Sequence, residues 1–131
     1  YSITTVVSDG KFSPTQDITI DIKNVNEQPV FTSENNTTVD ENIATKVLTL
    51  KADDADAKDT LTYSISDGDS SDFSVDSASG DITFNTAPDY EGTKQSYTFK
   101  ATVTDASGST DTQNISITLK NLNDTTPLIT N

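Results

Sequence analysis

Tyr97-Thr98-Phe99-Lys100-Ala101-Thr102-Val103-Thr104-Asp105 puts Tyr97, Phe99, Ala101 and Val103 at every second position, with polar side chains between them. A period of two is that of a β-strand with one face buried and one in water. The same alternation recurs in Ile115, Ile117 and Leu119, in Leu48, Leu50 and Ala52, and in Leu61, Tyr63 and Ile65. Ile18, Ile20 and Ile22 repeat it near the start of the chain. Runs rich in Asp, Ser, Gly and Thr separate these segments, such as Ser66 to Asp72 and Ala78-Ser79-Gly80, and supply turns. No helical period is present. A disordered acidic linker is the bland alternative, but disordered chains do not sustain alternation of large apolar residues.

Seven strands are expected in the main body of the chain: Thr37–Val39 with Val30 and Phe31 leading in, Lys46–Ala52, Leu61–Ser66, Phe73–Val75, Ile82–Phe84, Tyr97–Thr104 and Gln113–Leu119. Many short strands with turns between them predict an all-β protein, a seven-stranded Greek-key β-sandwich. The hydrophobic fraction of 31% fits, since each strand buries one face only.

The first stretch of the chain repeats the last. Tyr1-Ser2-Ile3-Thr4-Thr5-Val6-Val7-Ser8-Asp9 lines up with Tyr97–Asp105 at an offset of 96 residues. Ile18, Ile20, Ile22 and Asn24-Val25-Asn26-Glu27 line up with Ile115, Ile117, Leu119 and Asn121-Leu122-Asn123-Asp124 at an offset of 97. Pro29-Val30-Phe31 recurs as Pro127-Leu128-Ile129. Such self-similarity signals tandem domains. The division expected is 1–23 as the last two strands of a preceding repeat and 24–29 as a linker. A complete repeat follows at 30–120, then a linker and the start of the next repeat at 121–131.

Composition excludes several chemistries. The 131 residues contain no Cys, His, Met or Trp, which removes thiol nucleophiles, Ser-His triads and zinc sites of the usual kind. Twenty-one acidic residues against eight basic ones give a net charge of −13, which repels nucleic acid and anionic membranes alike. No apolar run is long enough to insert into a membrane. What remains in surplus is carboxylate oxygen, the ligand of hard cations such as Ca²⁺.

Several motifs, in order, carry a family resemblance. Glu41-Asn42, Ala52-Asp53-Asp54-Ala55-Asp56, Leu61-Thr62-Tyr63-Ser64-Ile65, Phe73…Gly80-Asp81-Ile82, Asp89-Tyr90-Glu91 and Asn121-Leu122-Asn123-Asp124-Thr125-Thr126-Pro127 resemble the signature segments of cadherin repeats. The resemblance implies an extracellular, cell-surface adhesion module, without enzyme activity, that holds Ca²⁺ where repeats meet. Its partners would be neighbouring repeats of the same chain and a cell-surface protein or polysaccharide. Two departures are visible: both linkers begin with Asn (Asn24, Asn121) where the family has Asp, and the first carries Glu27 in place of Asp. The absence of Trp gives no support to adhesion by docking an N-terminal Trp. The Ser/Thr/Asp-rich style and lack of Cys look more like repeats of large bacterial surface proteins.

Strand parity predicts where the acids gather. In seven strands of alternating direction, the second and sixth end at one pole, bringing Asp54, Asp56 and Asp105 to the entry linker with Asn26 and Glu27. The first and fifth end at the other, bringing Glu41, Asp89 and Glu91 to the exit linker with Asn123 and Asp124. Those ten residues are the expected metal ligands. Asp53, Asp59, Asp67, Asp69, Asp72, Asp76 and Asp111 are expected to be solvated loop acids or to sit in strand-end turns, and Asp9 to be an orphan counterpart of Asp105. Ca²⁺ accepts six to eight oxygens in loose geometry, whereas Mg²⁺ prefers strict octahedra. Because each junction draws on two repeats, binding is expected to be weak, with Kd no better than about 10⁻⁴–10⁻³ M.

Other signals are weaker. Asp54-x-Asp56 and Asp67-x-Asp69 lack the Gly and terminal Glu of a helix–loop–helix calcium loop. Glycosylation triplets such as Asn114-Ile115-Ser116 are expected by chance in this composition. Asp89 and Glu91 are too close in sequence to frame a sugar cleft. The alternative function is a carbohydrate-binding module, which would need exposed aromatics, and only Phe12 and Tyr90 look available.

Overall fold

A computed structural model describes residues 1–56 and 59–124. It contains β1 (Ser2–Val6), β2 (Thr15–Thr19), β3 (Val30–Phe31), β4 (Asn36–Asp40), β5 (Lys46–Thr49), β6 (Ala52–Asp53), β7 (Thr62–Ser66), β8 (Phe73–Val75), β9 (Asp81–Phe84), β10 (Ser96–Thr104) and β11 (Thr110–Lys120). One short 3-10 turn at Ser70–Asp72 is the only helical element among the described residues. The expected recurrence at Pro127-Leu128-Ile129 lies outside them.

One layer of the sandwich is the sheet β4-β11-β10-β7; the other combines β5-β9-β8 with the pair β3-β6. Along β10 the side chains of Tyr97, Phe99, Ala101 and Val103 are buried while their neighbours are more exposed, as the alternation requires. Facing them across the sandwich are Leu50, Phe73, Ile82 and Phe84. The Phe73 ring is the hub, with centroids 4.5 Å from Phe84, 4.9 Å from Phe99 and 5.5 Å from Tyr97.

The expected first and second strands are each broken in two. β3 pairs antiparallel with β6 in one layer, and the chain then crosses so that β4 pairs in parallel with β11 in the other. Thr32 and Ser33 both donate their N–H to the Lys51 carbonyl, at 2.8 and 3.2 Å, where the chain leaves the first layer. A strand that switches sheets in this way closes the corner of a sandwich. Alternation could not reveal it, because each half keeps its own period of two. Continuity along the second strand depends on Gly80 (φ +74°): its carbonyl accepts from Leu50 N at 2.8 Å, and a Cβ there would sit 2.5 Å from the Leu50 carbonyl.

Among the acids expected in solvated loops or strand-end turns, Asp76 caps a turn, while Asp69 and Asp111 tie segments remote in sequence. Asp69 accepts from Lys94 Nζ at 2.7 Å and from Thr98 N at 2.8 Å. Asp111 accepts from Phe31 N at 3.0 Å, and Asp76 from Ala78 N and Ser79 N at 3.0 and 2.8 Å. The long-range contacts of Asp69 and Asp111 arise when the chain folds back, which spacing does not show. The ammonium of Lys94, then the Thr98 N–H, hold the Asp69 carboxyl below its usual range. A depressed acid contributes stability above its unfolded pKa of about 3.9, and that contribution is lost as pH falls through the folded value. Acidification below about pH 4 should therefore weaken the fold. Asp69→Asn should remove about 1 kcal/mol of that dependence, read as a shallower loss of stability in urea titrations at successive pH values.

β1 and β2 form a separate hairpin in which every residue is exposed. Its register reproduces that of β10–β11: Ile3 faces Ile18 as Phe99 faces Ile115, and Thr5 faces Gln16 as Ala101 faces Gln113. The loops correspond too. Asp9 Oδ1 accepts from Lys11 N and Phe12 N at 2.9 and 2.8 Å, and Asp105 Oδ1 from Ser107 N and Ser109 N at 2.8 Å each.

Candidate metal centres

β10 ends where β11 begins, and β4 runs parallel to β11, so strand directions sort the acids into two poles. At the entry pole the carboxylates of Asp54, Asp59 and Asp105 each offer an oxygen within 4.8 Å of the others. Asp105 is buried, and its Oδ2 accepts from Asn26 Nδ2 at 2.8 Å. Asp56 is clasped by the linker, with Oδ1 taking Asn24 Nδ2 at 2.5 Å and Oδ2 taking Glu27 N at 3.0 Å. Glu27 thus reaches this pole through its backbone.

At the exit pole Glu41, Glu91 and Asp124 form the second close group. Glu41 is fully buried; Oε1 accepts from Leu122 N at 2.7 Å and Oε2 from Tyr90 N at 2.6 Å. Asn121 Nδ2 donates to Glu91 Oε1 at 2.6 Å, and Asn42 Nδ2 to Asp124 Oδ2 at 2.5 Å. Asn42 adopts φ +63°, a left-handed turn closed by its N–H on the Pro88 carbonyl at 2.7 Å. That turn swings Glu41 inward from the end of β4. Asp89 is exposed and caps its own turn, taking Glu91 N at 3.0 Å. Asn123 is exposed and makes no side-chain hydrogen bond among the described residues.

The donor set suits a hard cation. Every charged group in both clusters is a carboxylate, and Ca²⁺ is bound by oxygen. Two oxygens, Asp54 Oδ2 and Asp59 Oδ2, are buried and accept no hydrogen bond from any described residue. A buried polar atom without a partner costs about 1–3 kcal/mol, a cost that coordination removes. Asn26's amide, with the N–H groups of Ser109, Ser107 and Gly108, holds the Asp105 carboxyl below its usual range. Asn24's amide and Glu27 N–H do the same for Asp56. Burial pushes Asp59 the other way, reinforced by the charges of Asp105, Asp54 and Asp56. Its neighbours already have donors, and Asp59 has only like charge. Asp59, expected as a solvated loop acid, lies beside Asp54 and Asp105; it matches no motif, and its one signal in the sequence is its place in the short loop after Asp54-Ala55-Asp56.

The family model described as the cadherin domain matches residues 35–120. The chain belongs to the cadherin family.

Among its relatives, mouse Protocadherin Fat 2 is 40% identical over 124 residues, covering 87% of this chain. The fruit-fly Fat-like cadherin-related tumor suppressor homolog is 29% identical over 136 residues, covering 98%. The chain spans about 3% of the length of each of these two relatives. A solved structure titled Protocadherin gammaB7 EC3-6 cis-dimer superposes with a TM-score of 0.76 at 27% identity, over 94% of this chain and 33% of that one. Protocadherin Gamma B2 domains 1-5 gives 0.74 at 26%, over 94% of this chain and 25% of that one. These curated relatives are animal proteins, so the bacterial style read from the Ser/Thr/Asp-rich composition gains no support. Composition of that kind reports solvated strand faces more than lineage.

The cadherin match spans Glu41, Asp54, Asp56, Asp89, Glu91 and Asp105. Asn26, Glu27, Asn123 and Asp124 flank it. The aromatic platform a carbohydrate-binding cadherin module would need is thin: Tyr90 packs against the core, leaving Phe12 and Tyr1 exposed at 73% and 85%.

Proposed function

We propose that this chain is a Ca²⁺-binding cadherin repeat, with flanking repeat segments, of an extracellular adhesion protein at the cell surface. Ca²⁺ would sit at both poles, held by Asp54, Asp56, Asp105, Asn26 and Glu27 at entry and by Glu41, Asp89, Glu91, Asn123 and Asp124 at exit. The observation that carries this is the pairing of each acidic pole with a linker. Asn24, Asn26 and Glu27 hydrogen-bond to Asp56 and Asp105, and Asn121 and Leu122 to Glu91 and Glu41. A cation bound there neutralises repelling carboxylates and bridges bead to linker, stiffening the array. The role is structural and non-enzymatic.

The division into 1–23, 24–29, 30–120 and 121–131 belongs to the same proposal. It is supported by the shared register of the two hairpins and by the matching Asp9 and Asp105 loops. The apolar face of Tyr1, Ile3, Ile18 and Ile20 would then be covered by the remaining strands of its own repeat. The partners proposed are neighbouring repeats and another cell-surface protein.

Thermal melting with and without Ca²⁺ tests the reading. With Kd about 1 mM, 10 mM Ca²⁺ adds about 1.4 kcal/mol per site, a rise of several degrees for a domain of this size. The rise should vanish when Asp54, Asp105, Glu91 and Asp124 are changed together to their amides. Identical melting of the unmodified chain in Ca²⁺ and in chelator would overturn the proposal.

A further inference from the structure

We propose that Asn35 carries an N-linked glycan that shields the β4 edge of the sandwich. The inference rests on the extracellular reading above, and what points to it is where the fold puts the Asn-x-Ser/Thr acceptor triplets. The sequence holds four of them, beginning at Asn35, Asn36, Asn114 and Asn123. Composition accounts for their number but not for their surroundings. Asn114 lies within β11, between β4 and β10, opposite Lys100, whose ammonium pairs with Asp67 at 2.6 Å. An oligosaccharide there would lie across a paired strand and an ion pair. Asn123 stands beside Asp124 in the exit linker, and its Thr125 lies outside the described residues. Asn36 is already in the ladder, opposite Ser116, with Nδ2 donating to Asn35 Oδ1 at 3.1 Å. Asn35 sits in the bend just before β4, a surface-loop position of the kind such acceptors occupy. Its carbonyl accepts from Ser116 N at 2.9 Å, which fixes the backbone, while its side chain is exposed and its Nδ2 donates to no described residue. The amide nitrogen that would carry the sugar is the one the fold leaves unused.

The neighbouring strand gives that sugar a role. β4 ends the sheet β4-β11-β10-β7, and no described strand pairs with its outer side. An open edge invites pairing with another chain, and proteins blunt it with Lys, Pro, a bulge or a cover. β4 reads Asn36-Thr37-Thr38-Val39-Asp40, with no Lys or Pro, and no bulge breaks its register with β11. Thr and Val favour strands, and the one charge, on Asp40, lies 3.9 Å from Lys120 Nζ. A bulky, solubilising oligosaccharide immediately upstream supplies the cover. In the transfer, Nδ2 of Asn35 bonds to the anomeric carbon of a lipid-linked oligosaccharide diphosphate supplied by the secretory route. The bond from that carbon to the diphosphate oxygen breaks, the amide gives one proton to a base of the transferase, and the lipid diphosphate leaves.

The test secretes the full chain from cultured animal cells behind a cleavable leader and compares intact mass before and after peptide:N-glycosidase F. That enzyme releases an N-linked glycan and leaves Asp in place of the modified Asn. The unmodified chain should lose a single oligosaccharide, with position 35 converted in peptide mass spectra. Thr37→Val removes the triplet of Asn35 while keeping that of Asn36, and it should abolish the mass loss, as should Asn35→Gln. Thr38→Val, which removes only the triplet of Asn36, and Ser116→Ala, which removes that of Asn114, should leave the loss unchanged. By light scattering, the secreted Asn35→Gln protein should self-associate at concentrations where the unmodified chain stays monomeric; equal association would overturn the shielding role. A chain secreted without glycan, or a glycan found at Asn36, Asn114 or Asn123 instead, would overturn the assignment of Asn35. The Ca²⁺-dependent melting shift of the same secreted protein reads the proposed function separately, because no Ca²⁺ ligand named above is altered in these variants.

Discussion

Glu41→Ala should cost the domain about 3–4 kcal/mol, the sum of two deserted backbone donors at about 1–3 kcal/mol each and a partly collapsed cavity. Glu41 is fully buried, and its two oxygens hold Tyr90 N and Leu122 N at 2.6 and 2.7 Å. Those donors belong to segments that meet nowhere else in sequence: the loop bearing Asp89 and Glu91, and the linker leaving β11. Truncation therefore unfastens the exit linker as well as destabilising the fold. Glu41→Gln keeps one acceptor oxygen and should cost less, about 1–2 kcal/mol. Urea unfolding of both variants gives the comparison. A loss below about 1 kcal/mol for the alanine variant would mean that water or the neighbouring chain satisfies both N–H groups. On the Ca²⁺ reading, Glu41→Ala should also abolish the exit pole's share of the calcium-dependent melting shift.

Phe73→Ala is the second large effect. Its ring lies at the centre of the aromatic cluster with Phe84, Tyr97 and Phe99, and truncation of a buried Phe costs about 3–5 kcal/mol. A domain's whole stability is about 5–15 kcal/mol, and a hydrophobic content of 31% leaves little reserve. The melting midpoint should fall by about 15 °C or more, measured by circular dichroism. Phe73→Leu retains most of the volume and should lose far less. Because a cation that binds only the folded state stabilises it by mass action, millimolar Ca²⁺ should recover part of the loss in Phe73→Ala. A melting curve for Phe73→Ala that matched the unmodified chain would contradict the packing described.

Much of the fold was legible because alternation is a direct record of burial. β8, β9, β10 and β11 fall within a few residues of the runs that predict them, and the buried side chains of β10 are the apolar ones the period selects. The sorting of acids to two poles was legible for a similar reason. Parity survives the crossover from β3 to β4 because the two halves together make one pass of the chain from pole to pole. The crossover itself was not legible, since it depends on which layer offers free backbone groups at Lys51 and along β11. Asp76 caps its own turn, as a strand-end acid can, whereas Asp69 and Asp111 were read as loop or turn acids because their donors, Lys94, Thr98 and Phe31, are remote in sequence, a geometry with no sequence period.

For this chain the sequence alone determined an all-β sandwich, a surplus of carboxylate oxygen and the pole to which each motif acid goes. Tertiary structure decided how those acids divide their work. Glu41 and Asp56 accept hydrogen bonds that fasten segments to the poles, Asp89 caps its own turn, and Asp59, matching no motif, lies beside Asp54 and Asp105. The reason is physical. Strand position follows from a residue's own polarity and period, whereas a carboxylate's role depends on which donors the folded chain brings within about 3 Å, and those donors come from segments remote in sequence.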